Sequence, residues 1–199
     1  MPEPLAILLL AAGASTRMQG RDKLMEAVDG QPLLAHLIRQ ARATGLPVFV
    51  TLPERDHPRA CAATGATIVP VPGATEGMSA SIRSGLQALP DDIQGVLLLP
   101  ADMPDLTTAD FQHLAARFQG ADGPILRASG ADETGSLRPG HPVLFPKRCF
   151  AALRELRGDT GARALLQNDR VEMVRLPAAH ALTDLDTPEA WRHWRSLRP

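Results

Sequence analysis

Six consecutive apolar residues, Leu5–Leu10, run directly into Ala11-Ala12-Gly13. A strand with one wet face alternates apolar and polar residues. An unbroken apolar run suits a strand covered on both faces, as in a parallel α/β sheet. The small residues that follow let a ligand lie against the backbone, and Ser15, Arg17 and Lys23 then bring a hydroxyl and two cations, which we expect on an exposed loop. A small-residue loop at the carboxyl end of a first strand is where open α/β sheets bind nucleotides. Backbone N–H groups there hold phosphate oxygens while Arg and Lys neutralise their charge. The spacing is neither GxxxxGK[ST] nor GxGxxG.

The rest of the chain extends this pattern. Leu33, Leu34, Leu37, Ile38 and Ala41 form a helical stripe after Pro32, ended by Gly45. Strands are predicted over Pro47–Leu52, Thr67–Val71, Gly95–Pro100 and Pro124–Ala128. Helices are predicted over Pro58–Thr64, Met78–Leu89 and Thr108–Phe118. Strands alternating with helices predict a doubly wound, mostly parallel α/β sheet of Rossmann-like kind. Beyond it, Ser129–Gly140 is polar and glycine-rich and reads as a loop. A strand over His141–Phe145 follows, then helices over Arg148–Arg157 and Gly161–Gln167, short strands over Val171–Leu176 and Ala181–Leu185, and a last helix over Pro188–Leu197. No repeat or linker divides residues 1–199, so a single domain is expected.

Composition excludes several classes. With 44% hydrophobic and 22% charged residues the chain is of ordinary globular make-up. A net charge of −1 and only 4% aromatics, with no Tyr, argue against a nucleic-acid partner. No apolar run would span a bilayer, and Leu5–Leu10 is too short for a signal-peptide core and lacks basic residues before it, so no membrane partner and a cytoplasmic location are expected. Cys61 and Cys149 form no CxxC pattern, which fits reduced thiols rather than a zinc site. No Ser–His–Asp order or HExxH stands out.

Two carboxylates are candidates for metal. Asp102 follows the strand Gly95–Pro100, at the sheet end that faces the first loop. One carboxylate that leaves room for substrate phosphates is a common way to hold Mg²⁺. A capping role is already filled for the next helix by Thr107 with Asp110. Near the C-terminus, Pro188 suits the first helical position and Thr187 the N-cap, which leaves Asp186 outside the helix and free to point elsewhere or to serve a local turn. Ser79 and Ser81 open a helix and either hydrogen-bond a nucleotide or cap that helix. Arg83 reads as a solvated helix charge, and Asp184 as structural. His141 follows a loop. Asp159 can cap a helix whose first turn carries Gly161 N–H and Arg163, a second candidate anion site.

Taken in order, these segments resemble the molybdenum cofactor nucleotidyltransferases, whose signature is close to LAAGxSxRMGxxK or LAGGxGxRMGGxDK. The match comprises Ala11-Ala12-Gly13, Ser15, Arg17-Met18, Gly20 and Asp22-Lys23, with Gln19 where the second form has glycine. The Asp102-Met103-Pro104 triplet, Gly77–Gly85 and Asp184–Glu189 continue it. The resemblance implies the nucleotidyltransferase fold, with Arg17, Lys23 and Asp102 catalytic. It implies Ala11, Ala12, Gly13, Ser15, Lys23, Ser79 and Ser81 on the nucleotide, and Mg²⁺ between Asp102 and Asp186. Gly140-His141-Pro142 and Gly158–Arg163 are similar to the cytidylyltransferase branch, and His141, Asp159 and Arg163 would face the acceptor. The implied reaction joins CMP from CTP to molybdopterin-bound molybdenum cofactor and releases pyrophosphate, with a molybdoenzyme as recipient of the product. The alternatives are a guanylyltransferase, another small-acceptor nucleotidyltransferase of the same fold, or a non-catalytic molybdenum cofactor carrier.

Overall fold

The computed structural model describes residues 3–158 and 161–198. Its elements run β1 Leu5–Leu10, β2 Ala27–Val28, β3 Gln31–Pro32, α1 Leu33–Arg42, β4 Val48–Leu52, β5 Thr67–Pro70, α2 Met78–Gln87, β6 Gly95–Pro100 and α3 Thr108–Ala115. They continue with β7 Ile125–Ala131, β8 Leu137–Pro146, α4 Phe150–Arg154, α5 Arg163–Asn168, β9 Val171–Arg175 and α6 Pro188–Ser196. Seven strands form one sheet in the order β5-β4-β1-β6-β8-β7-β9, while β2 and β3 make a small separate hairpin. β8 alone runs against the grain, antiparallel to β6 and β7; the other pairings in this sheet are parallel.

The unbroken apolar run of β1 is explained by burial on both faces. Leu5, Ile7 and Leu9 point into one core with α1, α3 and α6, contributed by Leu34, Leu37, Phe111, Leu114, Trp191 and Trp194. Ala6 and Leu8 point into the other, with Ile82 and Leu86 of α2 and Phe150 and Leu153 of α4. Each fully buried aliphatic side chain contributes roughly 1.5–3 kcal/mol. α2 lies so close that a Cβ at Gly85 would collide with the Leu8 side chain. The caps read from the sequence are present: Thr107 and Asp110 form a reciprocal capping box on α3, and Thr187 caps α6 ahead of Pro188.

Two expectations are corrected. The segment Ser129–Gly140 is not a loop throughout, because its ends extend β7 and β8 into a hairpin that pairs Ser129 with Pro139 and Ala131 with Leu137. The turn is closed by Asp132, whose side chain accepts from the backbone N–H of Thr134 and Ser136. Exposed strand residues tolerate polar side chains, and glycine is needed where the hairpin meets residues 178–182: a Cβ at Gly140 would run into the carbonyl of Ala181. Conversely, Ala181–Leu185 is not a strand. Its buried Ala181 and Leu185 suggested one, but its backbone is spent on a turn and on cross-links. Leu182 N–H donates to Ala179 O, and Leu185 N–H to Asp102 O at 3.1 Å. α4 is also shorter than expected, at five residues.

Candidate active site

The carboxyl ends of β1 and β6 open into a cleft of 890 Å³. One wall is the loop after β1 and the start of α2, and the other is the start of β8 with Arg127 of β7 and the turn at Ala181. Because β8 runs antiparallel with Leu98 opposite Val143, His141 comes level with Pro100 at the end of β6, and Gly140 and Pro139 extend past it to line the cleft.

The loop wall is tied down from beneath by Arg59, a residue the sequence reading did not single out. Its guanidinium is only 3% exposed. Nη1 donates to the carbonyls of Ala11 at 2.5 Å and Gly13 at 2.8 Å, Nη2 to Ser15 Oγ at 3.1 Å, and Nε to Asp22 at 2.6 Å. Asp22 also caps the turn that begins at Lys23, accepting from Leu24 N–H. Burial would raise the pKa of Asp22, but Arg59 outweighs it and holds the carboxyl below the usual range. One buried cation therefore joins both ends of the loop, Ala11 at one and Asp22 at the other. A lone Arg in a short helical turn carries no sequence signal for this. Above it, a Cβ at Gly13 would meet nothing within 4 Å, so that residue faces open cleft space.

Lys23 is not on the exposed surface, as the sequence suggested; its side chain is 17% exposed and reaches into the cleft. Its Nζ lies 2.5 Å from a carboxylate oxygen of Asp102 and 2.5 Å from one of Asp186. The structure thus brings together two acids 84 residues apart in sequence. The bond from Leu185 N–H to Asp102 O holds the two segments side by side, and α6 anchors the second through buried Trp191 and Trp194. Burial alone would lower the pKa of Lys23, but the two carboxylates overcome this and raise it. Burial would likewise raise Asp186, yet Lys23 and Arg17 hold it low. Arg17 pairs with the other Asp186 oxygen at 2.6 Å but is 68% exposed, so this contact is weak, about 0–1 kcal/mol.

Among the described residues no group of three or more His, Cys, Asp or Glu is arranged to hold a metal. The two-carboxylate arrangement suits a different mode, in which the protein supplies few ligands and phosphates or water supply the rest. Asp102 Oδ1 is buried without a hydrogen-bond partner, which fits an oxygen kept for a cation. Asp184 also lines the cleft; burial and the charges of Asp102 and Asp186 raise its pKa.

The remaining residues divide. Ala11, Ala12, Gly13, Ser15 and Ser81 line the cleft, whereas Ser79 does not, and its buried Oγ has no partner. Neither serine caps α2, whose N-cap is Gly77 and which has no side-chain cap. Arg83 is no free surface charge: it holds Glu76 through both Nη atoms and donates to Leu156 O at 2.6 Å. His141 lines the cleft, and burial, with the charge of Arg127, pushes its pKa down to about 4. Arg163 is exposed on α5 and is not part of the cleft lining, because the helix carries it outward; Asp159 lies outside the described residues. Among the described residues no helix is long and apolar enough to cross a membrane.

The model of the MobA-like NTP transferase domain matches residues 7–175. The molybdenum cofactor guanylyltransferase of Pseudomonas aeruginosa (strain PAO1) is 33% identical over 199 residues, covering 98% of this chain and 96% of its own. The bifunctional protein GlmU of Kineococcus radiotolerans is 34% identical over 140 residues, 66% of this chain, and the match spans only 28% of that relative's length. In fold, the chain is similar to Rv0371c from Mycobacterium tuberculosis H37Rv, with a TM-score of 0.84 at 24% identity over 97% of this chain and 98% of that one.

Proposed function

The chain belongs to the MobA-like NTP transferase family, and from that premise we propose that it transfers a nucleoside monophosphate from a nucleoside triphosphate to the terminal phosphate of a molybdopterin cofactor, with release of pyrophosphate. The observation that carries this reading is Lys23 bridging Asp102 and Asp186 at the mouth of the small-residue loop. An oxygen of the acceptor phosphate attacks the α-phosphorus in line, and the bond from that phosphorus to the β-bridging oxygen breaks. No protein nucleophile is needed, so positioning and electrostatics supply the catalysis.

The loop residues Ala11 to Ser15 support the phosphates, held rigid by Arg59. Asp102 and Asp186 would hold Mg²⁺, which when bound supplies Lewis-acid polarisation of the phosphoryl oxygens. In this reading the Lys23 ammonium stands in for that cation in the free protein and turns to the phosphates when metal and nucleotide arrive together. Arg17, already exposed, follows the negative charge that builds on the leaving group.

For the base, the name of the full-length Pseudomonas aeruginosa relative favours guanine, and GTP takes precedence over the CTP expected from the sequence. The cytidylyl reading is kept second, on Ala11-Ala12-Gly13 and Gly140-His141-Pro142. One reaction containing GTP, CTP, Mg²⁺ and molybdopterin tests both. An excess of guanine dinucleotide is expected, with equimolar pyrophosphate. An excess of cytosine dinucleotide would move the protein to the second reading. Bound cofactor without pyrophosphate from either nucleotide would overturn catalysis and favour a carrier.

A further inference from the structure

Among the described residues three cations line the cleft, and their surroundings differ. Lys23 and Arg17 are matched by carboxylates. Arg127, in β7 on the opposite wall, has no carboxylate partner among the described residues. Its Nε donates to the carbonyl of Gly140 at 3.2 Å, and both Nη groups lack an acceptor among the described residues. Burial acts on Arg127 in the direction of a lower pKa with no anion to offset it. A half-buried guanidinium fixed at one nitrogen and open at the other two presents a planar fork of the shape that matches a phosphate.

Its place in the cleft narrows the ligand. Arg127, His141 and Asp102 line the same cleft, and His141 lies near enough to both of the others for their charges to act on it. Burial keeps His141 neutral, so it adds no second cation there. The backbone is locked as well: His141 N–H donates to Ala181 O at 2.9 Å, and no side chain fits at Gly140. We propose that Arg127 binds the phosphate monoester of the acceptor and presents its oxygen to the α-phosphorus of the nucleotide. This rests on the nucleotidyl-transfer reading above and assigns to it a residue on the acceptor side.

Inorganic phosphate is the direct probe, titrated calorimetrically into protein already saturated with Mg²⁺ and a GTP analogue carrying a methylene bridge between its α- and β-phosphorus atoms. That analogue occupies the Lys23 side, so remaining phosphate binding reports the other wall. The wild type is expected to bind one phosphate, Arg127→Gln to lose at least about tenfold in affinity and Arg127→Lys to fall between, since a charge-assisted fork is lost in the first and only its geometry in the second. Affinity for the nucleotide analogue should stay within about twofold in both variants, which also reports correct folding. In turnover, Arg127→Gln should raise the acceptor KM and leave the nucleotide KM unchanged. Phosphate binding absent from the wild type, undiminished in Arg127→Gln, or lost together with nucleotide affinity would overturn the assignment. Phosphate binding that depends on Arg127, in a protein that does not turn over molybdopterin, would keep the anion site and reject the acceptor reading.

Discussion

The two walls of the cleft handle charge in opposite ways. On the β1 side every lining cation has its counter-ion: Lys23 bridges Asp102 and Asp186, Arg17 adds to Asp186, and beneath them Arg59 pairs with Asp22. On the β7–β8 side, among the described residues, Arg127 has only a carbonyl, and His141 is held neutral with a buried Nδ1 that lacks a partner. The first wall is a closed electrostatic circuit, which in the proposed reaction a metal–nucleotide complex would open by exchanging partners. The second is an open circuit that an incoming anion completes. In the proposed reaction this asymmetry would let the wall with unmatched charge take the acceptor phosphate while the other takes the phosphates that come with Mg²⁺.

The comparison can be broken most severely at Arg59. Arg59→Met would leave the Asp22 carboxylate and the carbonyls of Ala11 and Gly13 without their buried partner. A loss of about 3–5 kcal/mol in unfolding free energy is expected: Asp22 is part-exposed, but the two carbonyls and Ser15 Oγ lose their donor as well, at about 1–3 kcal/mol for each buried acceptor left unpaired. Denaturant unfolding measures it; a loss below about 0.5 kcal/mol, typical of surface sites, would show that the loop does not depend on Arg59.

Next in size is the metal pair. Asp102→Asn and Asp186→Asn should each lower kcat by about 10²–10³-fold, and the double variant should lose much less than the product of the two, because the residues act as one unit. Steady-state kinetics at limiting Mg²⁺ checks this, and full activity in Asp186→Asn would leave Asp102 alone on the metal.

The open wall is tested by pH. With the His141 pKa at about 4 against an ordinary value of 6.5, the unfolded chain takes up this proton first as pH falls. Stability from this group is therefore complete above pH 6.5 and declines towards pH 4, by at most about 3 kcal/mol. His141→Gln should flatten that part of the stability–pH curve. An unchanged slope would place the His141 ring in a wetter setting than the cleft wall.

Much of this was legible locally. The both-face burial of β1 follows from its unbroken apolar run, and the caps at Thr107 and Thr187 from residue types that bond their own helix. Asp102 and Asp186 stood out because neighbouring residues already filled the structural roles open to them. Gln19, which takes the place of a glycine in the motif, still adopts φ of 53°, so the turn before Lys23 keeps a left-handed residue. What escaped the sequence depends on long-range contact. Arg59 and Arg127 are single cations whose importance lies in carbonyls 46 and 13 residues away. The β7–β8 hairpin hid behind polar residues because its tip is exposed, while Ala181 and Leu185 imitated a strand because core burial selects the same side chains in a turn.

The central claim, that Lys23 holds the place of a cation between two carboxylates until metal and nucleotide replace it, is tested most directly by titrating Mn²⁺, followed by its electron paramagnetic resonance signal, into wild type and Lys23→Met with and without GTP. Nucleotide-free wild type should bind the metal weakly and gain affinity when GTP is added. Without nucleotide, Lys23→Met should bind it more tightly than wild type, because no ammonium competes for Asp102 and Asp186, and the gain from GTP should shrink. Metal affinity in Lys23→Met that is equal to or weaker than wild type would contradict the account.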